Sequence, residues 1–207
     1  MKLHQIAMTA VLAAFALIFA PAGAHAMTFE RVDGAHICKI DPCVLATGEI
    51  EKDTAGQFRT FIKQADIHAG ATVVFDSPGG MLLESLALGR AIREAGLYTA
   101  IGRYDRATGE FTTGAQCVSA CAYAFLGGLQ REVGAKARIG VHQFAALPGE
   151  PDSLDASDAQ ALMGLISAYL NRMVGKSELL VLAAETPPTD AHWLSSRELR
   201  NCAVVTN

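Results

Sequence analysis

The stretch that most constrains this 207-residue sequence runs from Thr72 to Ala95. An apolar, β-branched run, Thr72-Val73-Val74-Phe75, passes without a linker into Asp76-Ser77-Pro78-Gly79-Gly80, and a helical pattern begins at Met81. A strand with no polar alternation is one covered on both faces, the condition of a parallel sheet. From Met81 to Ala95, Leu82, Leu83, Leu86 and Ile92 recur at helical intervals, Glu84, Arg90, Arg93 and Glu94 are polar, and Gly96 supplies a stop. A strand feeding a helix through so tight a turn is the unit of an α/β fold.

The rest of the chain repeats the alternation. Ala35 to Ile40 and Val44 to Ile50 read as two short strands around the Asp41-Pro42 turn, with further strands over Tyr98 to Gly102, Ala137 to Val141 and Ala203 to Val205. Helices are expected over Gly56 to Ala65, Ser119 to Leu126, Asp158 to Met173, Ser177 to Ala184 and Ser195 to Asn201. In the longest, Leu162, Leu165, Ile166, Tyr169 and Leu170 form the inward stripe. Arg103 to Gly114 reads as a hairpin or surface insertion, and Ala145 to Ala156 as an exposed loop. The fold class expected is α/β with a mainly parallel sheet.

The N-terminus has the marks of a targeting segment. Lys2 precedes an apolar run from Ile6 to Ala20, Pro21 and Gly23 break it, and Ala24-His25-Ala26 has the form of a cleavage site. The expectation is a signal peptide over residues 1–26 and a single domain over 27–207, periplasmic or secreted; an uncleaved segment would be the chain's one attachment to a membrane. The formal charge is −4, and −5 once Lys2 is removed, with no basic cluster, which speaks against nucleic acid as a partner. All five cysteines, Cys38, Cys43, Cys117, Cys121 and Cys202, follow the leader. Export permits disulfides, and the odd count leaves a thiol over within one chain. Cys38 with Cys43 and Cys117 with Cys121 are the local candidates, and spacing alone does not choose the connectivity.

Three short segments carry chemistry. Gly79-Gly80 allows backbone amides to approach a ligand, with the positive end of the following helix aimed at the same place, as an oxyanion requires. Ser119, in Cys117-Val118-Ser119-Ala120-Cys121, lies on a second strand-to-helix turn among small neighbours, where it is either a nucleophile or a helix cap. His142, in Gly140-Val141-His142-Gln143-Phe144, ends a strand and is the candidate base. A triad needs an acid to orient the imidazole; Asp190 is the candidate and Glu185 the runner-up, each also readable as a solvated loop charge.

In order and context these segments resemble the Clp protease proteolytic-subunit superfamily, the ClpP or crotonase-like fold of repeated strand-strand-helix units. Ser77-Pro78-Gly79-Gly80, Val118-Ser119-Ala120, Val141-His142-Gln143 and Trp193-Leu194-Ser195-Ser196 match its motifs over roughly residues 70 to 205. The resemblance implies a serine-type peptidase with Ser119 as nucleophile, His142 as base, Asp190 as acid and the amides of Gly80 and Ala120 as oxyanion hole. It implies no cofactor or metal, a peptide or unfolded protein as substrate, and a homo-oligomer; outside the cytoplasm no ATPase partner is expected. Asp190 stands about one position from the family's acid, and Cys117 and Cys121 are not part of the cytosolic family's motif. Other readings are a crotonase-fold binding or assembly module without hydrolysis, and a signal-peptide-peptidase-like Ser–Lys enzyme using Lys136 or Lys176. A zinc site from Cys117, Cys121 and His142 does not fit common ligand spacings.

Overall fold

The structure is a computed structural model that describes residues 25–33, 38, 42–112, 114–134, 136–144 and 156–206. The leader up to residue 24, most of the strand expected at 35–40 and the loop at 145–155 lie outside the described residues. In chain order the elements are β1 (Thr28–Val32), β2 (Cys43–Thr47), α1 (Thr54–Gln64), β3 (Thr72–Asp76), α2 (Leu82–Glu94), β4 (Tyr98–Ile101), β5 (Arg103–Asp105) and β6 (Glu110–Thr112). They continue as β7 (Gln116–Val118), α3 (Ala120–Phe125), β8 (Arg131–Val133), β9 (Arg138–Val141), α4 (Ala156–Val174), α5 (Glu178–Glu185), β10 (His192–Trp193) and α6 (Ser196–Asn201).

Five strands form one sheet in the order β1-β2-β3-β4-β8, parallel except for β1. Its interior strands are apolar along their length: Val44 and Ala46 of β2 and Val73 and Phe75 of β3 belong to the main core, while Leu45 and Val74 face a second, smaller one. Helix α1 lays Phe58, and helix α2 lays Leu88 and Ile92, against the main-core face. The opposite face is closed by Tyr104 and Phe111 of the β5–β6 hairpin, packed edge to face at 5.3 Å, with the Cys38–Cys43 disulfide beside them. Residues 103–112 of the expected hairpin or insertion are therefore a hairpin that covers the sheet.

A smaller sheet, β10-β9-β7, holds β7 and β9 parallel and β10 antiparallel to β9. An isolated parallel bridge between Ser77 and Cys117 ties it to the extension of β3. Every residue of the six-residue α3 is buried, the helix lying between α2 and the small sheet. Its carbonyl end is neutralised by cations: Arg93 Nη2 and Nε donate to Leu126 O (2.9 Å) and Gly127 O (2.7 Å), and Arg131 Nη1 donates to Gly128 O (2.8 Å). Burial lowers the Arg131 guanidinium to about 10.

Differences from expectation have local causes. The partner of β2 is Thr28–Val32, whose Glu30 and Arg31 mask it in sequence; an edge strand accepts such charges because one side meets solvent. Ala203 to Val205 form no strand; the edge place belongs to β8, and the chain end meets it through Thr206 N to Arg131 O, 3.2 Å. In α4, Ile166, Tyr169 and Leu170 face inward, but Leu165 is 55% exposed. The connectivity that spacing left open is resolved: both local candidate pairs are disulfides, and Cys202 is a buried free thiol.

Helix α2 approaches α3 and α4 at Gly89, where a Cβ would overlap the Tyr169 hydroxyl, which donates to Tyr123 O at 2.7 Å. Gly89→Ala is expected to lower stability by about 2–3 kcal/mol, the range of overpacking in a close-packed core. The check is a lower urea midpoint at unchanged slope.

Candidate active site

The site lies where parallel strands end and turns begin. Beyond β3, Ser77 N donates to Gln116 O (2.8 Å) and Val118 N to Ser77 O (3.1 Å). The Asp76 carboxylate accepts from Gln116 N at 3.1 Å and from Arg103 Nε at 2.6 Å, setting the head of β7 and the hairpin on one group. Pro78 has no N–H, and Gly79 N donates to Ser77 Oγ (3.2 Å). Gly79 O accepts from Ile50 N and Ile50 O accepts from Met81 N, both at 2.7 Å. Among the described residues, the Gly80 amide, between these committed groups, donates no backbone hydrogen bond.

Gly79 has φ +109° and Gly80 φ +130°, a region disfavoured for side-chain-bearing residues. A Cβ on Gly79 would stand 2.6 Å from Val118 O, 2.9 Å from Ser119 Cβ and 3.2 Å from Ala120 N. The glycine turn therefore rests on the serine turn, beside the first amide of α3. That amide has no intrahelical acceptor, because a helix's first N–H groups have no carbonyl one turn earlier.

Ser119 adopts φ +56° and ψ −124°, a strained conformation for a residue with a Cβ. It occupies the N-cap position of α3, yet its side chain makes no capping hydrogen bond. The capping alternative thus does not account for the residue. The turn is over-determined: Ser119 N donates to Gly140 O (2.9 Å), Ala122 N donates to Ser119 O (3.0 Å), and the Cys117–Cys121 disulfide, 5.2 Å between Cα atoms, joins strand to helix around it.

His142 follows β9, the parallel neighbour of β7, with Val118 in register with Gly140. The serine and histidine thus leave the same ends of adjacent strands, about 4.8 Å apart. His142 Nδ1 lies 2.6 Å from Gln143 O. Gln143 is held in turn, its N donating to Thr186 O (2.9 Å) and its Nε2 to Ala184 O (2.7 Å).

The expected acid is not brought to this histidine. Asp190 is exposed; its Oδ1 accepts from Ala191 N at 2.7 Å, and among the described residues no hydrogen bond joins it to His142. Glu185 is also exposed, at the end of α5, with no hydrogen bond to His142 among the described residues. A nearby Ser–Glu–His cluster is structural. Glu198 accepts from Ser195 N (2.8 Å) and Oγ (2.7 Å) and meets His192 Nε2 at 2.9 Å. The Ser195 hydroxyl foremost holds the Glu198 carboxyl down at about 2. The carboxylate stands between hydroxyl and imidazole, so Ser195 has no base; the group is the capping box of α6.

The lysine alternatives do not enter the site through any described contact: Lys176 Nζ donates to Asn201 O (2.7 Å), and Lys136 is exposed. Cys117 and Cys121 are joined to each other, which withdraws both thiols from zinc ligation. One feature beside the site was not legible in sequence. The Arg138 guanidinium lies 3.7 Å over the Trp193 ring, and that ring covers Gly140, where a Cβ would come within 3.0 Å of it. Cross-strand pairing alone brings these residues together, and β10 is only two residues long.

No family model and no curated protein matches the sequence. Solved structures are similar to the chain. ClpP1 from Listeria monocytogenes superposes with a TM-score of 0.56 at 16% identity, over 78% of this chain and 86% of that one. The ClpP protease catalytic domain from Plasmodium falciparum gives 0.52 at 16%, over 76% and 79%. A mutant of the 1510-N membrane-bound stomatin-specific protease, in complex with a substrate peptide, gives 0.51 at 19%, over 78% and 71%. The chain has the ClpP or crotonase-like fold.

Two outcomes follow from the contact between the turns. Gly79→Ala is expected to lower any Ser119-dependent activity about 100-fold or more, since a Cβ there must displace the serine turn; the chain should still fold, as read by circular dichroism. Removing the Cys117–Cys121 bridge with a Cys117→Ala, Cys121→Ala double variant is expected to lower stability by about 2 kcal/mol, the chain-entropy value for so short a loop, measured by urea unfolding beside the wild type.

Proposed function

We propose that this chain is an exported serine hydrolase, an ATP-independent peptidase working through an acyl-enzyme. The observation that carries the reading is Ser119: a strained serine with no capping role, set against a glycine turn and one strand away from a histidine. Asp53, at the N-cap of α1, also has a positive φ, but its ψ of 10° keeps it in the left-handed helical region; Ser119, with ψ −124°, lies outside that region, and strain of this kind clusters at functional sites.

In the proposed reaction Ser119 Oγ attacks a peptide carbonyl while His142 Nε2 takes the hydroxyl proton. The carbonyl oxygen becomes an oxyanion, stabilised by the Gly80 amide of the glycine turn and the Ala120 amide at the start of α3. The tetrahedral intermediate collapses, the C–N bond breaks, and His142 returns the proton to the leaving amine. Water then attacks the acyl-serine by the same route, releasing the acid and restoring the hydroxyl. No step draws on a cofactor or on nucleotide hydrolysis. The acid expected at Asp190 has no described bond to His142, so the reading rests on the serine–histidine pair.

The fold neighbours support peptides or unfolded chains as substrates: those compared are proteases, one in complex with a substrate peptide. Two disulfides, one around the nucleophile, fit an oxidising compartment and with it the expected leader. We further propose that the chain self-associates, which a light-scattering mass above that of the monomer would bear out. A binding or assembly role would use the same fold but leaves the conformation of Ser119 without a purpose.

The test is covalent labelling with a fluorophosphonate. The wild-type chain is expected to be labelled at residue 119, Ser119→Ala not at all, and His142→Ala at least about 100-fold more slowly, the scale of general-base assistance. Equal labelling of wild type and Ser119→Ala would remove the hydrolase reading.

A further inference from the structure

We infer that Gln143, rather than a carboxylate, orients the catalytic imidazole; this rests on the serine–histidine reading above. A carbonyl oxygen only accepts hydrogen bonds, so the 2.6 Å contact between His142 Nδ1 and Gln143 O requires the hydrogen on Nδ1. Nε2 then carries the lone pair and is the base. This is the tautomer that the acid of a Ser–His–Asp triad enforces. Here the main chain enforces it.

The carbonyl is itself fixed from the core outward. Leu179 and Ala183 bury one side of α5. The carbonyls at the end of that helix, left without intrahelical donors, are taken by Gln143: Ala184 O by its side-chain amide at 2.7 Å and Thr186 O by its backbone amide at 2.9 Å. Gln143 is thereby clamped at two points, and its own carbonyl is presented to the ring of the preceding residue. Among the described residues, the candidate acids are exposed or engaged elsewhere. Asp190 is exposed and accepts from its neighbouring amide, Glu185 is exposed, and Glu198 faces His192 and Ser195. Gln143 is thus a positioning residue acting through His142.

The experiment uses the full chain, labelled with ¹⁵N in its histidine rings, together with fluorophosphonate labelling rates. The His142 signal, assigned by its loss in His142→Ala, is expected to show the neutral ring protonated at Nδ1, unchanged in Asp190→Ala. Asp190→Ala is expected to be labelled within about twofold of wild type. Gln143→Ala loses the clamp on Ala184 O and is expected to be labelled roughly tenfold more slowly, a fraction of the loss that an ångström of misplacement brings. Gln143→Lys, which restores a donor to that carbonyl, should recover most of the rate. A ring protonated at Nε2, loss of labelling in Asp190→Ala, or Gln143→Ala within twofold of wild type would each overturn the proposal. If the wild type is not labelled at all, the hydrolase reading falls, and the ring signal alone decides whether Gln143 sets the tautomer.

Discussion

The contact on which the arrangement depends is between two sharp turns, Gly79 against Ser119. Ser119 holds a backbone conformation, φ +56°, that residues with a Cβ avoid, and Gly79, at φ +109°, holds one that glycine adopts freely, which lets the two turns lie against each other. A methyl group at residue 79 would occupy the place of Val118 O and Ser119 Cβ. Glycine at this position is therefore a condition of close approach more than of flexibility. The Ser77–Cys117 bridge sets the register of the contact, the Cys117–Cys121 bond closes the serine turn, and Ser119 N to Gly140 O aligns it with the strand that ends at the histidine. Two sheets thereby meet at one point, and the candidate chemistry is at that point.

Asp76 shows which of two interactions matters there. Its ion pair with Arg103 looks the stronger, and raises the guanidinium further above its ordinary range. Arg103 is about half exposed, though, and exposed pairs contribute roughly 0–1 kcal/mol. The bond from the Gln116 amide to the same carboxylate, whose side chain is 11% exposed, falls in the class worth about 1.5–3 kcal/mol. The carboxylate therefore serves chiefly to hold the head of β7 in register with the glycine turn, and the hairpin benefits from what remains of its charge.

Much of this was readable from the chain because it depends on local chemistry. Thr72 to Phe75 becomes a strand buried on both faces, and the Leu82–Glu94 helix forms with Leu86 and Ile92 inward as expected, although Leu83 is 58% exposed and Leu88 is in the core instead. Gly79-Gly80, Ser119 and His142 lie at the ends of elements whose polarity marks them. The acid was different. A carboxylate finds an imidazole only if a long excursion through α4 and α5 returns it to the right place, and no periodicity encodes that return. Asp190 comes back exposed and bonded to its neighbouring amide, while a backbone carbonyl, invisible to any reading of side chains, stands next to the ring. The first strand escaped notice for a related reason: Glu30 and Arg31 look unlike a strand until β2 is known to lie beside them.

By itself, then, the sequence determined the fold class and which residues have reactive or permissive chemistry, because hydrophobic period, glycine placement and cysteine proximity act over a few residues. The tertiary structure alone decided which of those residues meet, which charges remain idle in solvent, and that Trp193 and Arg138 stack beside the site. Those outcomes rest on register between strands far apart in the chain, where a shift of a single residue would turn every side chain to the opposite face.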